Sequence, residues 1–149
     1  SRGEVSINSS NPEDLPIIIP NYLSTKSDRE VAVESIKVAR KIAKANSIKE
    51  HILDEFVPGG SFSSDEELLE AARNHSQSIY HPVGTCKMGH DKESVVDDQL
   101  RVHGVKNLRV VDASIMPELV AGNTNARNMM IAEKAAEMIL GKIHSGLTK

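Results

Sequence analysis

The stretch Tyr80-His81-Pro82-Val83-Gly84-Thr85-Cys86-Lys87-Met88-Gly89-His90 gathers two histidines, a cysteine and two glycines, with Lys87 as its one formal charge. An imidazole titrates near about 6.5 when unperturbed, which suits it to take a proton near neutrality. Pro82 biases the His81 backbone toward an extended form, and the glycines allow another group to come close. Two readings stand side by side: a general base facing a cavity, or an imidazole satisfied by backbone carbonyls at a helix end. His81, Cys86 and His90 follow the spacing H-x4-C-x3-H, which is not a compact zinc pattern, so no metal is expected. Cys86 reads as a small packing residue, because a nucleophile beside His81 lacks a visible third residue to orient the pair.

A second candidate is Ala121-Gly122-Asn123-Thr124-Asn125, directly ahead of an apolar helical run. Asn and Thr are good helix caps, which is one reading of the pair. The other is that the free N–H groups of the helix start stabilise an anion or an electron-rich carbonyl. Asp112-Ala113-Ser114, at the end of an expected strand, is either a turn or an edge that contacts a ligand.

The elements that must position these residues follow from periodicity and turn chemistry. Residues 3–8 and 16–20 read as two short strands. Ser27-Asp28 caps an amphipathic helix extending to about Ala45, and residues 48–56 read as a short helix ended by Pro58-Gly59-Gly60. Ser63-Ser64-Asp65-Glu66-Glu67 is a capping-box start for a helix through about Ser76. Short extended pieces are expected at 94–97 and 100–105, with a stronger strand at 107–112. A last helix runs from about Ala126 to Leu140, and its apolar circumference predicts burial on nearly all sides. These elements, without regular βαβ alternation, make an α+β fold.

Composition narrows the function classes. The chain has 149 residues, 39% of them apolar, enough for a core and against disorder. Four residues are aromatic and none follows Tyr80; with a net charge of −3, nucleic-acid binding is not expected. Residues 1–78 carry net −4 and residues 79–149 net +1. Cys86 is the single cysteine, which argues against a disulfide scaffold and for a reducing, cytoplasmic compartment. No apolar run is long enough to span a membrane, although membrane association of a larger enzyme is left open. The opening Ser1-Arg2-Gly3 lacks a methionine, so a piece of a longer chain is expected.

The order and spacing of Tyr80-His81-Pro82-Val83-Gly84-Thr85-Cys86-Lys87-Met88-Gly89, Val95-Val96-Asp97, Leu100-Arg101-Val102-His103-Gly104-Val105, Asn107-Leu108-Arg109-Val110-Val111-Asp112-Ala113-Ser114, Gly122-Asn123-Thr124-Asn125-Ala126 and Met130-Ile131-Ala132-Glu133-Lys134-Ala135-Ala136 resemble the C-terminal region of glucose-methanol-choline oxidoreductases. The likeness is strongest to the choline dehydrogenase-like members. It implies an FAD-dependent enzyme that oxidises a small-molecule alcohol to an aldehyde or ketone by hydride transfer to flavin. His81 would be the base and Asn123 its partner. Asp112, Ala113, Thr124 and Asn125 would contact the flavin.

The same resemblance implies that residues 1–105 are part of a substrate-binding domain, with an antiparallel or mixed sheet flanked by helices. Residues 106–149 would be a strand and helix returning to the FAD-binding domain. The chain departs from the family pattern at Arg127-Asn128, where small residues such as Pro-Thr are usual, and Arg127 brings a positive charge to a helix start. No G-x-G-x-x-G turn is present, so the partner expected is a missing N-terminal FAD-binding half, without which the piece is inactive. Homo-oligomerisation is left open. The alternative class is a non-catalytic binding or assembly module.

Overall fold

The computed structural model describes residues 1–141 and divides into two compact units, Ser1–Ser78 and Ile79–Lys149. The expected boundary at 105/106 falls inside the second unit, where Val102 N–H donates to the Leu108 carbonyl across it at 3.0 Å. Residues 142–149 of the expected C-terminal part lie outside the described residues.

In the first unit, β1 (Glu4–Ser6) pairs antiparallel with β2 (Ile17–Ile19), Val5 facing Ile18. Helix α1 (Lys26–Ala43) begins two residues earlier than a Ser27 cap would place it, because Thr25 Oγ1 accepts from Asp28 N–H at 3.2 Å and is the cap. Helix α2 (Asp65–His75) carries the expected capping box: Glu67 N–H donates to Ser64 Oγ at 3.2 Å, while Glu67 Oε2 accepts from the Ser63 and Ser64 N–H groups at 2.9 Å. Leu68, Ala71 and Ala72 on α2 and Val33 on α1 are the buried residues of the packed helix pair.

The helix expected over 48–56 is reduced to one 3₁₀ turn, Lys49–His51. Arg40 of α1 explains the loss: its guanidinium pairs with Glu55 at 2.9 Å and donates to the carbonyls of Phe62 at 2.8 Å and Gly59 at 3.2 Å. Those bonds hold an extended loop that a helix through residue 56 would break.

The second unit has a core of Val96, Leu100, Ile115, Met116, Ile131 and Ala135, with Val96 fully buried. Its extended pieces meet through single bridges, Met88 with Val96, Val96 with Val102 and Arg101 with Arg109, so the strands expected at 94–97, 100–105 and 107–112 do not form as runs. Asp97 is the physical reason. Its carboxylate accepts from Gln99 N–H and Arg101 N–H at 2.9 Å and from Arg101 Nε at 2.8 Å, folding 97–101 into a turn with Leu100 at φ 64°. Partial burial pushes the Asp97 carboxyl up, and the N–H of Arg101, its guanidinium and the N–H of Gln99 outweigh that, holding it below the ordinary carboxylate range.

A second 3₁₀ turn, Ala113–Ile115, contacts α3 (Asn125–Ile139). Helix α3 does not meet the expectation of burial on nearly all sides. Ile131 and Ala135 face the core, whereas Met129, Met130 and Ile139 are more than half exposed. Met138 is half-buried against that core.

Two outcomes follow from the first unit. Leu68→Ala should lower unfolding free energy by about 2–5 kcal/mol in urea titration; a negligible loss would remove Leu68 from the core. The N–H groups of Ser64 and then Ser63 hold the Glu67 carboxyl below its ordinary value. Its stabilisation is therefore fully present above the unfolded value of about 4.3 and is lost as pH falls through the lower folded value. Glu67→Gln should flatten the acid side of the stability curve below about pH 4. An unchanged slope there would contradict the assignment.

Candidate functional site

Three segments of the second unit converge around His81. The first begins at Tyr80, whose φ of 62° turns the chain sharply into His81-Pro82, and continues to Gly84 at φ 89°. At Gly84 a side chain would be doubly unfavourable, because its Cβ would also sit 3.3 Å from the Met116 carbonyl. The second segment, 112–116, holds the first by its backbone: Cys86 N–H donates to the Ser114 carbonyl at 2.9 Å and Met88 N–H to the Ile115 carbonyl at 2.8 Å. The third is the loop 121–124 that opens α3.

His81 bridges the first and third segments. Its Nδ1 lies 3.0 Å from Thr124 Oγ1 and its Nε2 lies 3.1 Å from Asn123 Nδ2. The ring is half-buried, Asn123 is exposed, and Thr124, at 6% exposure, is the buried polar side chain among the described residues. Asn123 Nδ2 carries only donors, so Nε2 accepts from it through its lone pair. The ring proton of the neutral imidazole then sits on Nδ1 and is donated to Thr124 Oγ1. Of the two readings open from sequence, backbone satisfaction of His81 gives way to two side-chain partners.

Arg127 resolves the charge that the sequence brings to the helix start. Its guanidinium folds back and donates to the Ala121 carbonyl at 2.9 Å and the Asn123 carbonyl at 3.2 Å. The cation thus fastens the loop bearing Asn123. Gly122, at φ 91°, makes the turn that brings both carbonyls within its reach. This function was not read from the sequence, where i and i+4 separation of Asn123 and Arg127 was the available signal.

The remaining residues assigned from sequence lie as follows. Asp112 is exposed and caps the 3₁₀ turn, its Oδ1 accepting from Ser114 N–H at 2.8 Å and from the Ser114 hydroxyl. Ala113 is half-buried against the core. Asn125 opens α3 and is exposed. Structure brings together His81, Asn123 and Thr124; Asp112 and Ala113 join them through the backbone bonds of segment 112–116 and make no side-chain bond to His81. Cys86 is half-buried and unoxidised, and no three metal-ligating side chains converge among the described residues. Lys87 pairs with Asp91 at 3.3 Å and Glu93 at 3.5 Å; the Asp91 bond keeps its ammonium above the ordinary value.

No side chain caps the first N–H groups of α3, and Asn128 Oδ1 is buried without a partner among the described residues.

Comparison with known proteins accords with this arrangement. The chain is 52% identical over 143 residues to an alcohol dehydrogenase [acceptor] of Pseudomonas putida, covering 96% of this chain and 26% of that protein. It is 46% identical over 142 residues to an oxygen-dependent choline dehydrogenase of Escherichia coli O157:H7, covering 95% and 25%. Among solved structures, pyridoxine 4-oxidase from Mesorbium loti superimposes with a TM-score of 0.88 at 37% identity, over 95% of this chain and 28% of that one. A fungal aryl-alcohol oxidase gives 0.84 at 33% identity, over 94% and 23%. The chain thus spans about a quarter of the length of the relatives it matches. The GMC oxidoreductase family model covers residues 1–132, and the chain belongs to that family.

Proposed function

We propose that this chain supplies the proton-handling side of an FAD-dependent oxidation of a small-molecule alcohol, within a protein whose other part binds most of the cofactor. The observation that carries the reading is the approach of His81 Nε2 to the side-chain amide of Asn123 at 3.1 Å. Support also comes from the relatives, which include an alcohol dehydrogenase and choline dehydrogenases, and from a structural neighbour described as an FAD-dependent oxidoreductase from Chaetomium thermophilum. The chemistry of that company favours an enzyme over an assembly module.

A substrate hydroxyl takes the place of the direct contact between His81 Nε2 and Asn123 Nδ2, the two side chains parting to receive it. Its O–H donates to His81 Nε2, and its oxygen accepts from Asn123 Nδ2. As the O–H bond breaks, the proton passes to Nε2 and its electron pair forms the carbonyl, while the carbon gives up hydride. Bound FAD supplies the hydride acceptor. Asn123 has no basicity near neutrality, so within this pair the proton goes to His81. Holding both groups on segments tied by Arg127 and by the 86–88 backbone bonds limits the motion of the reacting hydroxyl. Thr124 and Asn125, with the uncapped N–H groups that open α3, are assigned to the flavin pyrimidine edge, and Asp112 and Ala113 to its side chain. The positive end of α3 favours negative charge accumulating at that edge.

In the same reading, residues 1–105 go with substrate binding and 106–149 with the flavin domain. The uncovered Met129, Met130 and Ile139 of α3 then supply apolar surface for the N-terminal part.

In the full-length flavoprotein, His81→Ala should slow flavin reduction by about 10²–10⁴-fold in anaerobic stopped flow, with substrate affinity changed little. An unchanged reduction rate would overturn the assignment of His81.

A further inference from the structure

We infer that Thr124 is a positioning residue that holds His81 in its Nδ1–H form by accepting that proton, an inference resting on the reading of His81 as base. Three helices of this chain begin at a hydroxyl residue, and two of those hydroxyls behave alike. Thr25 and Ser64, both in extended backbone at ψ 153° and 157°, accept N–H bonds from their own helices. Thr124 does not. Its backbone is already helical, at φ −81° and ψ −14°, and its side chain makes no cap bond. The hydroxyl points instead to His81 Nδ1 at 3.0 Å, in a position only 6% exposed. The diversion leaves α3 without the cap bond that the other two helices have.

The consequence lies in which ring nitrogen holds the proton. A histidine that is to accept a proton through Nε2 must carry its own proton on Nδ1: Asn123 Nδ2, a donor, keeps Nε2 bare, and Thr124 Oγ1 supplies the acceptor that the Nδ1 proton needs. Thr124 Oγ1 accepts from Nδ1–H when the ring is neutral and equally when it is charged, because Nδ1 is a donor in both forms. Asn123 differs: its Nδ2 can donate to Nε2 only before protonation. The ring therefore has one fixed contact and one that must yield when the proton arrives. Without the hydroxyl, Nδ1–H would be buried against no acceptor, and the proton would move to Nε2, where Asn123 Oδ1 can receive it after rotation of the amide.

The test uses the full-length, flavin-loaded protein labelled with ¹⁵N-histidine, comparing wild type with Thr124→Val, which keeps the shape and removes the hydroxyl, and Thr124→Ser, which restores it. At a pH where the ring is neutral, wild-type His81 should show a protonated Nδ1 and a bare Nε2. Thr124→Val should move the proton toward Nε2 and slow flavin reduction by about tenfold to a hundredfold with KM nearly unchanged, and Thr124→Ser should recover both. A wild-type nitrogen spectrum in Thr124→Val, or a serine variant that behaves as the valine one, would overturn the inference. A moved proton with flavin reduction unaffected would uphold the positioning of His81 and overturn its reading as the base.

Discussion

The hydrogen bond between Thr124 Oγ1 and His81 Nδ1 is the contact on which the arrangement of the site depends. It joins a loop that starts at residue 80 to the first turn of α3, more than forty residues later in the chain, and does so through a buried polar atom. Loss of one partner would leave the other unsatisfied in a place that water does not readily reach, which costs about 1–3 kcal/mol and makes the pairing hard to exchange. It fixes which ring nitrogen is turned to Asn123, and with the Asn123 amide it accounts for the proton on Nδ1.

The rest of the second unit keeps those two segments in register. Segment 112–116 gives backbone acceptors to Cys86 and Met88 on one side, and buries Ile115 and Met116 with Ile131 and Ala135 of α3 on the other. It is thus the spacer between the histidine loop and the helix that bears Thr124. Val96 and Leu100 complete this core from the turn that Asp97 organises. The candidate site is therefore carried by short, irregular segments anchored on one helix rather than by a regular sheet.

Much of this was legible in the sequence. Alternation and prolines located β1 and β2, helical spacing located α1, and the Ser64/Glu67 pair located α2, because each is a local signal. The order of motifs from His81 to Ala136 identified the family and paired His81 with Asn123, which the structure places 3.1 Å apart. What the sequence hid was set by nonlocal or competing bonds. Arg40 unwinds most of the helix expected at 48–56 by binding Glu55 and two carbonyls, and Asp97 breaks up strands that β-branched composition predicts. Arg127 reads as a charge against a dipole until its guanidinium is seen to fold onto the Ala121 and Asn123 carbonyls. Thr124 reads as an ordinary cap, since nothing local tells that its hydroxyl has a partner 43 positions earlier. The exposure of Met129, Met130 and Ile139 on α3 is a second departure, since apolar composition alone predicts burial on nearly all sides.

The central claim is that His81 takes the hydroxyl proton as hydride leaves the substrate carbon. Its most direct test is the pH dependence of anaerobic flavin reduction under single turnover, from about pH 5 to about pH 9, in the full-length protein and in His81→Gln. The account predicts that the wild-type rate falls on the acid side, where the imidazole is already protonated, and that the glutamine variant shows a slow rate without that limb. The same acid limb and the same rate in both proteins would contradict it.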